Sequence, residues 1–139
     1  MEQGKSIQEL EIGQRASFSK TITESDVVQY AGITGDFNPV HVNEEYAKNT
    51  MFNGRIAHGM LTLGFISSVL GTKLPGPGSI YVSQDIKFKA PVTINDTVTA
   101  ICEVVEKDVD KNRVKIQTRC TNQKDQTLVD GHAVLMPPK

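Results

Sequence analysis

The sequence predicts an α+β domain, a curved antiparallel sheet wrapped around one apolar helix, and three observations point there. First, Met60, Leu61, Leu63, Phe65, Ile66, Val69 and Leu70 follow one another within a single helical stretch. They leave it no wide polar face, and a helix apolar almost all round is one surrounded by protein. Second, after residue 78 the hydrophobic periodicity changes from helical to two, through four segments rich in Val, Ile and Thr. Third, those segments are joined by short polar turns, and successive hairpins make an antiparallel sheet that a lone apolar helix needs for cover.

Taken in chain order, a short strand is expected from Arg15 to Thr21. Thr23 then suits an N-cap, with Glu24 and Asp26 in the first turn where carboxylates favour the helix dipole. Val27, Val28, Tyr30, Ala31 and Ile33 continue a helix that stops near Gly35. Asn43 is placed to cap a second short helix, Glu44 to Lys48. The apolar helix begins after His58 and is expected to stop at Gly71, before a loop, Leu74-Pro75-Gly76-Pro77-Gly78. The four strands are Ser79 to Ala90, Thr97 to Lys107, Arg113 to Asn122 and Thr127 to Met136. Asp108 to Asn112 and Asn122 to Asp125 serve as hairpin turns.

Composition narrows the function classes. A length of 139 residues suits one domain spanning 1–139, and such a chain buries roughly two thirds of its unfolded surface. A net charge of −1, with Lys and Arg dispersed among Asp and Glu, argues against a nucleic-acid face. Gly59 to Gly71 spans 13 residues, short of the ~20 that cross a membrane. Met1 to Arg15 has no apolar signal core, so a cytoplasmic location is expected. Cys102 and Cys120 lie in strand-like stretches without metal-ligand spacing and are read as buried free thiols, with no metal site.

Two constellations carry chemistry. In Asp36-Phe37-Asn38-Pro39-Val40-His41 a carboxylate and an imidazole stand five residues apart. On a helix that spacing separates them by ~140°. Pro39 disfavours helix in Asn38 and lacks an N–H, so the segment reads as a loop in which the two groups can converge on one water. The alternative is a plain turn with a surface histidine. The second constellation is Arg55-Ile56-Ala57-His58-Gly59-Met60. Gly59 at the start of a buried helix offers unpaired N–H groups at the positive end of its dipole, the physical basis of an oxyanion hole. Otherwise Gly59 only lets the helix start close to the sheet, and His58 is a cap or packing residue. Together the two supply proton transfer and enolate stabilisation, the tasks that chemistry at the α and β carbons of a thioester demands.

Ser67, inside the apolar helix, either bonds back to its own helix or lines an acyl pocket. Val69 and Val134 are further conceivable lining residues. His132 reads as a packed or edge histidine. Arg55, Lys73, Lys87 and Lys89 read as solvated cations that also suit phosphates.

These motifs, with Leu74 to Tyr81 and Ile86-Lys87-Phe88-Lys89-Ala90-Pro91-Val92, resemble the (R)-specific enoyl-CoA hydratases of the MaoC-like group over nearly the whole chain. The resemblance implies a hot-dog fold, normally homodimeric, hydrating trans-2-enoyl-CoA to (3R)-3-hydroxyacyl-CoA with no metal or redox cofactor. It carries the water-activating roles to Asp36 and His41, orientation of the site to Asn38, and polarisation of the thioester carbonyl to Gly59. Three other readings share the fold: a 3-hydroxyacyl-[acyl carrier protein] dehydratase, an acyl-CoA thioesterase and a non-catalytic acyl-binding domain. An acidic carrier protein calls for a basic patch that a net charge of −1 does not advertise.

Overall fold

A computed structural model describes residues 2–139. Five strands form one sheet, each pairing antiparallel with its neighbours: β1 (Arg15–Thr21), β3 (Ile80–Phe88), β5 (Thr97–Asp108), β6 (Arg113–Thr121) and β7 (Thr127–Met136). Their spatial order is β1-β5-β6-β7-β3, so β1 from the N-terminal zone joins one edge, as expected, and β3 forms the other. A second, two-stranded sheet pairs β2 (Ile56–Ala57) with β4 (Val92–Thr93). No periodicity announces strands of two residues.

The period-two pattern does what it predicts. In β6, and in β5 as far as Val104, every second residue is buried, including Val98, Ala100, Cys102 and Val104 on one strand and Val114, Ile116 and Cys120 on the other. That face packs against helix α4 (Gly59–Thr72) through Phe65, Ile66, Val69 and Leu70. Fully burying an Ile or Leu side chain contributes about 1.5–3 kcal/mol. The helix and the sheet are therefore each other's main source of stability.

Two expectations need correction, and one open choice is decided. Helix α4 is not surrounded within one chain: Met60, Gly64, Ser67 and Gly71, which recur at helical spacing, form an exposed stripe. Gly71 does not end the helix. It lacks the left-handed backbone of a glycine stop, and the helix runs to Thr72. His132 is no edge residue, because β7 pairs on both sides and the His132 N–H donates to Asp85 Oδ1 at 3.1 Å. Cys102 and Cys120 are buried and free on neighbouring strands. Cys102 pairs with Thr118 and Cys120 with Ala100, a diagonal rather than a facing register.

Candidate active site

Helix α1 (Glu24–Thr34) begins with a capping box, Thr23 accepting from the Asp26 N–H and Asp26 from the Thr23 N–H. It ends at Gly35, whose φ of 81° suits a residue without a Cβ and whose N–H returns to the Ala31 carbonyl. The chain then turns sharply. Asp36 Oδ1 accepts from the Asn38 N–H at 3.2 Å, and Asn38 Oδ1 accepts from the Val40 N–H at 3.2 Å.

Here the loop expectation is half right. Pro39 opens a one-turn helix, α2 (Pro39–Val42), with Asn38 as its N-cap. Proline is excluded from helix interiors but suits the first position, where the missing N–H would be unpaired anyway. Asp36 thus stands in a turn and His41 on a helical turn just beyond it. Asn38 caps and orients instead of facing the cleft. Asn43 caps α3 (Glu44–Ala47), as expected.

The segment around β2 holds both reactive residues from behind. His41 Nδ1 donates to the Ile56 carbonyl at 2.7 Å, so the neutral ring keeps Nε2 as its acceptor. Arg55 Nε donates to the His41 carbonyl at 2.7 Å, and its guanidinium reaches Glu24 on α1 at 2.6 Å. Arg55 is therefore no solvated cation: its side chain is largely buried and ties α1 to α2. Lys73 is likewise committed, donating to the Ser17 carbonyl at 2.6 Å. His58 makes no capping bond. It is a buried packing residue, with its ring stacked 3.9 Å from that of His41 and Nε2 donating to the Asp36 carbonyl at 3.0 Å.

Asp36, His41 and His58 bring one ligand-type atom each to within 4.8 Å of one another. The two imidazoles are stacked with only 30° between their planes. Ring lone pairs lie in the ring plane, so stacked rings do not converge on one ion as metal ligands do. The arrangement suits proton transfer better. Burial is the main cause holding the His41 imidazole below its ordinary value of 6.5, and nearby His58 adds to it. The bond to Ile56 and the Asp36 carboxylate oppose the shift. The balance favours a neutral ring able to accept a proton.

His41 opens into a cleft of about 440 Å³, mostly apolar, with Phe52, Ile56, Met60, Phe88 and Val129 in its wall and Lys89 as its one lining cation. Gly59, first residue of α4, lies in the same wall. Its N–H belongs to the first turn, which has no acceptor within the helix. A Cβ there would come within 2.8 Å of the Phe88 ring, so only glycine lets the aromatic ring seat on the helix start. The cleft thus combines an acceptor imidazole and a helix N-terminus, and the Asp36 carboxylate, exposed and outside the lining, lies within 4.8 Å of the imidazole. Ser67 stands two turns further along α4 on its exposed stripe, outside this cleft. Val69 is buried in the core. Phe52 escaped the sequence reading, Arg55 entered it only as a solvated cation, and only the Phe88 motif position hinted at a place beside the site.

Comparison with known proteins places the chain in a family. Residues 7–126 match the MaoC like domain model. An (R)-specific enoyl-CoA hydratase of Rhodospirillum rubrum is 53% identical over 94% of this chain and 90% of its own. A 3-hydroxybutyryl-CoA dehydratase of Methylorubrum extorquens is 46% identical over 95% and 83%. Among solved structures, an unliganded R-hydratase of Pseudomonas aeruginosa superposes with a TM-score of 0.93 at 44% identity, covering 98% of this chain and 87% of that one. The strand order, the helix-on-sheet packing and these matches agree on the hot-dog fold, and the chain belongs to the MaoC-like family.

Proposed function

We propose that this protein is a hydro-lyase that hydrates trans-2-enoyl-CoA to (3R)-3-hydroxyacyl-CoA, and reverses the reaction. The observation that carries it is the meeting of the Asp36 carboxylate with His41, which opens into an apolar cleft beside the N-terminus of α4. The relatives named for hydration and dehydration of CoA thioesters support this reading over a carrier-protein dehydratase, a thioesterase or a binding module.

In this mechanism the acyl chain lies along Phe52, Ile56 and Met60 and the thioester oxygen meets the Gly59 N–H. One water is held between the Asp36 carboxylate and His41 Nε2. Its oxygen bonds to Cβ as His41 takes up a proton. The C=C electrons move to Cα and the thioester oxygen, where the helix N-terminus stabilises the enolate. A proton from the same pair then reaches Cα. Hydroxyl and hydrogen arrive from one side, which makes the addition syn. No electrons change hands, so the reaction calls on no redox cofactor, and no step needs a metal. Asn38 serves by shaping the turn that presents the pair.

We also propose that the protein works as a homodimer. The β3 edge exposes Ile80, Tyr81, Val82 and Phe88, and the α4 stripe is open to solvent as well. An unprotected apolar edge strand is a template for pairing with another chain. Pairing β3 with β3 of a second copy would continue the sheet and cover α4. The Ser67 position would then lie at the junction of two chains.

The functional test is crotonyl-CoA hydration by folded Asp36→Asn and His41→Ala variants. Each should lose ~10²- to 10⁴-fold in rate; near-wild-type turnover by either removes it from the mechanism.

A further inference from the structure

His58 is buried to 2% exposure, and its ring touches three groups of the site. Nε2 donates to the Asp36 carbonyl at 3.0 Å. One ring face stacks on His41 at 3.9 Å, and the ring meets Tyr30 of α1 at 4.6 Å. The remaining nitrogen, Nδ1, is buried with no partner among the described residues. A buried polar atom without a partner is costly and calls for a reason. An aliphatic side chain would fill the same space without that cost, but it would lose the Nε2–H bond and the flat face. The His41 imidazole is held by one ring hydrogen bond, Nδ1 to Ile56, which fixes a point and leaves the ring free to swivel about it. A stacked neighbour fixes the plane as well.

We propose that His58 is a positioning residue for the Asp36–His41 pair, its Nε2–H anchoring the Asp36 backbone and its face setting the plane of the His41 ring. This rests on the reading of Asp36 and His41 as the acid/base pair. His58 itself touches neither cleft nor substrate: it does not line the cleft wall, and its free nitrogen is sealed from solvent. It acts through geometry. The charged groups facing His41 are the Asp36 carboxylate, the Arg55 guanidinium on the His41 carbonyl and Lys89 across the cleft. None of the three is removed when His58 alone is changed.

The test uses the full chain with His58→Leu, which fills the volume without a donor, and His58→Gln, whose amide can reach the Asp36 carbonyl but cannot stack. Two readouts are taken: kcat and KM for crotonyl-CoA across pH, and the ring ¹⁵N shifts of His41 without substrate. A misplaced reacting group costs about tenfold to a hundredfold. His58→Leu should therefore lose about that much in kcat with KM within about threefold, and His41 should show mixed tautomers in place of the single Nδ1–H form. His58→Gln should fall between Leu and wild type in kcat and still show the mixed tautomers. If His58→Leu does not fold, His58→Gln decides alone. Wild-type kcat, pH profile and His41 shifts in the folded variants overturn the proposal. A wild-type protein inactive on enoyl-CoA would defeat the functional reading instead, and the His41 shifts would still decide the role of His58.

Discussion

Replacing Gly59 by Ala places one methyl group at the point where the account puts negative charge. The new Cβ would lie 2.8 Å from two Phe88 ring atoms, about 0.6 Å inside the 3.4 Å at which ordinary contact begins. The Phe88 backbone has little freedom to yield, because it pairs with Val129 and the next N–H bonds to the Leu128 carbonyl at 2.8 Å. The Phe88 side chain is half exposed and can rotate outward. The substitution should therefore cost little stability, with Ala also the better helix former by up to ~1 kcal/mol. Catalysis is another matter. The ring lines the cleft and the methyl group crowds the N–H meant for the thioester oxygen. Losing an oxyanion donor costs ~10²–10³ in kcat, and partial displacement about tenfold or more. Steady-state crotonyl-CoA hydration should show kcat down by about tenfold to a hundredfold with thermal unfolding nearly unchanged. A folded Gly59→Ala protein with wild-type kcat would refute the placement of the thioester oxygen.

Other outcomes follow from the same structure. Burial holds the folded His41 below 6.5, so the acid limb of the kcat/KM profile should fall below that value; a limb above it contradicts a buried neutral base. The unfolded chain binds the proton more readily, so the contribution of His41 to stability falls as pH drops from 6.5 towards the folded value and is flat below both. Denaturant midpoints across that window measure it. A Cβ on Gly64 meets nothing within 4 Å in the chain, so Gly64→Glu should keep the fold but shift sedimentation from the proposed dimer to monomer. An unchanged dimer places the interface elsewhere. Burial pushes both the Cys102 and Cys120 thiols up to about 12, so a thiol reagent at pH 8 should label neither until the protein unfolds.

The parts of the fold legible in the sequence are those where one physical signal dominates. The alternation in β5 and β6 and the apolar density of α4 report burial directly, and Thr23, Gly35 and Asn43 report the ends of helices through local bonds. Pro39 misled because its chemistry differs between the interior and the first position of a helix, and only the turn made by Asp36 and Asn38 shows which applies. Arg55 looked like solvated charge because its partners, the His41 carbonyl and Glu24, lie 14 and 31 residues away. The β2–β4 pair is too short for any period. Ser67 seemed enclosed because the helix is apolar nearly all round, a pattern that marks burial without saying whether the same chain does the covering. Asp36 and His41 were legible as a pair, but the groups that aim them were not, since His58 and Ile56 reach them only after folding.

The most direct test of the account is chiral analysis of the product formed from crotonyl-CoA by the wild-type protein. Asp36 and His41 acting on one water beside Gly59 should give (3R)-3-hydroxybutyryl-CoA with the thioester intact. An (S) product, or free CoA released without addition of water at Cβ, would contradict it.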